Sequence, residues 1–74
     1  MTATLTARQK LILQTISDYW TAHGIAPTVR DVARLVGCST STAAYQLGEL
    51  VAAGRVERRP RIPRSMKVVE QVAS

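Results

Sequence analysis

The run Gly37-Cys38-Ser39-Thr40-Ser41-Thr42-Ala43-Ala44-Tyr45-Gln46-Leu47-Gly48-Glu49-Leu50-Val51-Ala52-Ala53-Gly54 begins and ends on glycine and carries apolar residues at helical spacing in between. Ala43, Leu47, Leu50 and Val51 recur three and four residues apart, which gathers them on one face of a helix. Thr40, Ser41, Ala44 and Tyr45 then point away from that face. Ser39 or Thr40 caps the helix, which is predicted to run to about Ala53 before Gly54 stops it. Its first turn holds only short hydroxyl and methyl side chains, so the backbone there can approach a partner closely. A helix entering the major groove of DNA needs that arrangement, with small polar residues leading and apolar ones held back.

Upstream, Thr6-Ala7-Arg8-Gln9 has capping-box spacing and predicts a first helix over residues 7–23. Ile12, Ile16, Tyr19 and Trp20, with Leu13 at the edge, form its apolar stripe and read as core, and Gly24 offers a left-handed stop after His23. His23 at that end gains from the helix dipole as a cation. Ile25-Ala26-Pro27 is extended, because the residue before proline avoids the helical region. Thr28 then caps a short second helix with Asp31 at its third position, and Val32, Ala33, Leu35 and Val36 supply its buried side up to Gly37. Two helices joined by a tight glycine-containing turn make a helix-turn-helix. Downstream, Arg55–Arg58 and Met66–Val69 alternate as strands around Arg59-Pro60-Arg61-Ile62-Pro63-Arg64-Ser65, whose prolines stiffen a projecting tip. The expected fold is mainly α with a small antiparallel β-hairpin: a winged helix-turn-helix of three helices plus wing. Residues 1–5 are expected to be an N-terminal arm, 6–70 the domain and 71–74 a tail.

At 74 residues there is room for one such domain. The formal charge of +5 is concentrated: Arg55, Arg58, Arg59, Arg61, Arg64 and Lys67 face only Glu57 between residues 55 and 67, and the remainder of the chain is balanced. A basic patch points to a polyanion, and nucleic acid is the commonest one; a solvated basic tail is the plainer reading. Cys38 alone cannot form an internal disulfide, and one Cys with one His cannot build a four-ligand zinc site, so neither metal nor cofactor is expected. No signal segment or long apolar run is seen, which sets the expected location in the cytoplasm and gives no membrane role. Neither a nucleophile-and-base constellation nor a small-molecule ligand site is evident, and no enzymatic activity is expected.

Several separated segments together resemble the winged-helix DNA-binding domain of LexA-type repressors. They are Leu5-Thr6-Ala7-Arg8-Gln9, Gly24-Ile25-Ala26-Pro27-Thr28, Val32-Ala33 through Gly37, Tyr45-Gln46-Leu47-Gly48-Glu49-Leu50, and Pro63-Arg64-Ser65-Met66-Lys67-Val68. They cover about residues 5–69, and the Arg/Pro wing is most similar to LexA proteins of high-GC Gram-positive bacteria. The resemblance implies sequence-specific binding of double-stranded DNA and transcriptional repression. LexA proteins also carry a C-terminal self-cleaving peptidase domain that dimerises them. The residues present here do not supply it, so self-cleavage is not carried over. A free-standing regulator of a phage or mobile element and a fragment of a longer repressor both fit.

Candidate contact residues follow from this layout. Ser39, Thr40, Ser41 and Thr42 suit phosphate or base contacts, and they equally suit helix capping. Ala44 lies on the same outward side. Tyr45 has reach for direct readout, or packs against the wing. Gln46 suits a bidentate contact to adenine, or a structural hydrogen bond beside the apolar stripe. Arg58, Arg59, Arg61 and Arg64 are candidates for phosphate contacts or insertion into a narrow minor groove. Thr28 and Arg30 are candidates for the DNA backbone, though solvated helix arginines are commonplace. A homodimer on DNA would require a repeated half-site. Two other classes remain open: a protein-interaction module that binds a host regulator or replication protein, and an architectural DNA-binding factor.

Overall fold

The computed structural model describes residues 5–59 and 64–69. They form α1 (Ala7–His23), α2 (Val29–Val36), α3 (Thr40–Ala52), β1 (Val56–Glu57) and β2 (Lys67–Val68), the two strands pairing antiparallel. This is the mainly helical winged helix-turn-helix architecture expected from the sequence. Residues 1–4 of the expected arm, the wing tip 60–63 with Arg61, and the tail 71–74 lie outside the described residues. Leu5, assigned to the arm, is half-buried against the core.

Each helix starts where a hydroxyl captures an orphan backbone donor. Thr6 accepts from the Gln9 amide at 3.1 Å while Gln9 Oε1 accepts from the Thr6 amide at 3.0 Å, closing the capping box. Thr28 and Asp31 make the same reciprocal pair, both bonds at 3.0 Å. At α3 the cap is Ser39, which accepts from the Thr42 amide at 3.1 Å. Gly37 closes α2 at φ +85°, a left-handed conformation that costs glycine nothing, and its amide donates to Ala33 O at 2.9 Å. Only Gly37, Cys38 and Ser39 separate α2 from α3, so the turn leaves the two helices packed against each other.

All three helices and the hairpin converge on one core: Ile12 and Ile16 from α1, Ala26, Val32 and Ala33 from the link and α2, Ala43, Leu47 and Leu50 from α3, and Val56 and Met66 from the hairpin. Four expected core positions are corrected. Leu35 is 53% exposed. The stripe of α2 runs through Val29, Val32, Ala33 and Val36, and a residue one place short of Val36 is rotated off it. Val51 is exposed for the same reason, one place past Leu50. Trp20 is 37% exposed and Tyr19 half-buried, so neither is sealed in the core. Trp20 instead donates its indole Nε1–H to Met66 O at 2.9 Å, tying α1 to the hairpin.

The hairpin is shorter than the alternation suggested. Val56 opposes Val68 and Glu57 opposes Lys67, extended by a bond from the Val69 amide to Arg55 O at 2.9 Å. Beyond Glu57 the ladder gives way to a side-chain clasp. Ser65 Oγ accepts from the Arg59 amide at 2.8 Å and donates to Arg59 O at 3.1 Å, so both backbone groups of Arg59 are satisfied by a hydroxyl.

Candidate nucleic-acid interface

Helix α3 buries Ala43, Leu47 and Leu50, and its opposite side is set by helical rotation. Ser41, Tyr45, Gly48 and Ala52 lie on that outer side, with Thr40 and Ala44 flanking them, and all six are exposed. Tyr45, at 65% exposure, keeps most of its ring in solvent and is the largest side chain on this face of α3. Around it the surface is low, since Gly48 has no side chain and a Cβ there would meet nothing within 4 Å. No packing need therefore accounts for the glycine, although mid-helix glycine is costly relative to alanine.

The other expected residues of the recognition segment divide by what already occupies them. Ser39 is exposed, with its oxygen committed to the cap and its hydroxyl donating to Thr42 Oγ1 at 3.0 Å. Thr42 is half-buried as that acceptor. Gln46 is also half-buried, and its Oε1 is shielded from solvent without a hydrogen-bond partner among the described residues. The structural bond expected as one of its two roles is thus not made at that atom. Thr28 is half-buried with its hydroxyl oxygen engaged in the α2 cap, while Arg30 stands exposed on the first turn of α2.

In the wing, Arg58 and Arg59 are exposed. Arg64 is placed differently. Its Nη1 donates to Ala26 O at 2.9 Å and lies 3.4 Å from both Tyr19 Oη and Asp31 Oδ2, joining the link, α1 and α2. Its backbone adopts φ +57°, the only positive φ of a described non-glycine residue, at a cost on the order of 1–2 kcal/mol. Asp31 is the hub beneath it. Its side chain is 13% exposed; Oδ2 accepts from the Thr28 amide and faces Arg64, while Oδ1 pairs with Arg34 at 3.3 Å. The Thr28 amide, above all, holds the Asp31 carboxyl below the usual carboxylate range; partial burial opposes this, and Arg64 and Arg34 add to the lowering.

The residues that sequence reasoning missed are those that set the wing rather than those that face outward: Tyr19, Asp31, Ser65 and the Trp20 indole. Arg64 lies 33 residues from Asp31 and 45 from Tyr19 in the chain, and no local spacing announces such pairs. Among the described residues no cluster of three His, Cys, Asp or Glu side chains could hold a metal ion, and no helix is long and apolar enough to cross a membrane.

Known proteins are similar to this chain in sequence. The LexA DNA binding domain family matches residues 2–65. The LexA repressor of Lacticaseibacillus casei is 45% identical over 62 residues, covering 82% of this chain and 30% of the repressor. That of Magnetococcus marinus is 37% identical over 67 residues, 90% of this chain and 29% of the repressor. That of Corynebacterium diphtheriae is 40% identical over 65 residues, 86% of this chain and 27% of the repressor. The chain thus spans under a third of the length of these relatives. On both the matched span and the arrangement of its helices and hairpin, the chain belongs to the LexA DNA-binding domain family.

Proposed function

We propose that this chain binds double-stranded DNA in a sequence-specific manner and acts as a transcriptional repressor by occupying an operator. The outer face of α3 enters the major groove, where Thr40, Ser41 and Ala44 allow close approach and Tyr45 reads a base edge. Ser39, Thr42 and Gln46 flank that contact, Gln46 through its amide nitrogen, since its Oε1 is shielded from solvent. Arg58, Arg59 and Arg61 meet flanking phosphates or the minor groove, and Arg30 and Thr28 lie toward the backbone at the start of α2. The observation that carries this reading is the α3 surface: a low face of small side chains with one tall aromatic hydroxyl, on the family's DNA-binding helix-turn-helix. The wing's excess of arginine supplies the electrostatic part. The LexA repressors it resembles give the regulatory role its precedent.

Selection of duplexes from a random library at near-physiological salt, followed by sequencing, tests the proposal. Enrichment of a defined motif is expected. Retention of DNA without enrichment would replace sequence-specific regulation with an architectural role. No retention would overturn DNA binding and turn attention to a protein partner, sought by pull-down from nuclease-treated extract.

A further inference from the structure

The return leg of the wing is fastened at three successive residues, each to a different place. Arg64 reaches across to Ala26 O, Tyr19 and Asp31 on the α1–α2 side. Ser65 clasps the outgoing leg at both backbone groups of Arg59. Met66 is buried in the core, and its carbonyl accepts the Trp20 indole N–H. None of the hydrogen bonds that fasten this leg is made to α3. The hairpin ladder itself is only two residues long on each strand, too short to orient a projecting loop by its own pairing.

We infer that Arg64 is a positioning residue of the wing, spending its guanidinium on the helical body so that Arg58 and Arg59 are presented beside α3 in one orientation. The inference rests on the DNA-binding reading above for its functional consequence, though not for its structural one. Arginine suits the role because its guanidinium stays charged, and its Nη1 alone donates to Ala26 O at 2.9 Å while facing Tyr19 Oη and Asp31 Oδ2 at 3.4 Å. The left-handed backbone at Arg64 is consistent with it, since a strained residue persists where surrounding contacts over-determine it. Among the described residues the two cations that precede the turn have no such side-chain partners, and Arg59 engages there through its backbone. One wing thus holds two kinds of arginine: exposed ones at 58 and 59, and one at 64 whose side chain is still 42% exposed but whose Nη1 is engaged by the helical body.

The test compares wild type with Arg64→Gln on a duplex recovered in the selection, or on a random-sequence duplex if none is enriched. Two quantities are read: the slope of log affinity against log salt, and hydrogen exchange of the Arg59 amide and the Trp20 indole N–H in the free protein. A positioning role predicts affinity about tenfold weaker, the scale of losing one hydrogen bond to a charged group, with the salt slope unchanged and both exchange rates raised. A slope reduced by about 0.9 with unchanged exchange would instead make Arg64 a phosphate ligand and overturn the inference. Unchanged affinity with unchanged exchange would overturn it as well. If Arg64→Gln does not fold, Tyr19→Phe keeps every charge and both helix caps, and faster exchange at the same two N–H groups is then the supporting result, unchanged exchange the overturning one. If wild type binds no duplex, the functional reading has failed, and the exchange measurements still decide whether Arg64 holds the wing.

Discussion

Tyr45 and Gly48 sit one turn apart on the outer side of α3, and neither is held there by the core. A ring that is largely solvated contributes little to folding, so its value lies in what it touches beyond the protein. Tyr45→Ala is expected to leave the melting temperature nearly unchanged and to lower discrimination at one base pair by about 1–3 kcal/mol. A base-substitution series across the selected motif checks this, and a variant that keeps every preference of the wild type would remove Tyr45 from direct readout. Gly48 gives the complementary case. With open space where a Cβ would stand and no left-handed backbone to maintain, Gly48→Ala is expected to stabilise the fold by about 1 kcal/mol through helix propensity alone. Denaturant titration measures it, and a destabilised variant would mean that the helix needs glycine for packing after all.

At the scale of the helices, the physics that was legible in the sequence is the physics that acts within a few residues. Thr6 with Gln9, Thr28 with Asp31, and Gly24 and Gly37 each work through partners three or four places away, and the helix boundaries follow from them. The stripe was legible too, but its edges were not: Leu35 and Val51 sit at helical spacing from Val32 and Leu47, yet the full rotation puts them at the margin of the stripe, where they are exposed. The outer face of α3 followed from the same rotation, whereas the half-buried state of Gln46 depends on what packs beside it. Asp31 joins both regimes, capping α2 locally and meeting Arg64 from the wing. Because its carboxyl titrates below the value it has in an unfolded chain, about 3.9, ionised Asp31 contributes stability above that pH, and the contribution is lost as pH falls through the folded value. Asp31→Asn retains an acceptor for the Thr28 amide but removes the charge facing Arg64 and Arg34. The variant should therefore melt below wild type at neutral pH, with the gap closing as pH drops below about 4. A gap that stays constant through that range would mean the ionised carboxylate is not what stabilises the junction.

For the molecule as a whole, size and charge together limit how it can hold DNA. The fold extends 31 × 24 × 23 Å, so one copy reaches about one helical turn of duplex, roughly 34 Å, and a single module of this kind buries on the order of 600–1,000 Å². On the proposed reading, tight occupation of an operator calls for a second copy on a second half-site, and affinity per copy leans on electrostatics. On that reading, with the Arg64 Nη1 engaged by the helical body, Arg30, Arg58, Arg59 and Arg61 are the cations assigned to phosphates. Three or four such contacts give a log–log salt slope of about −3 to −4 per copy, at about 0.9 each. Changing Arg58 and Arg59 together to alanine should reduce that slope by about 1.8 while leaving the selected motif the same, because phosphates carry no base identity. Fluorescence titration of one half-site duplex over a range of salt measures the slope directly. A double variant with the wild-type slope would show that the wing does not touch the backbone, and one that also changes the preferred bases would show that the wing reads sequence in the minor groove.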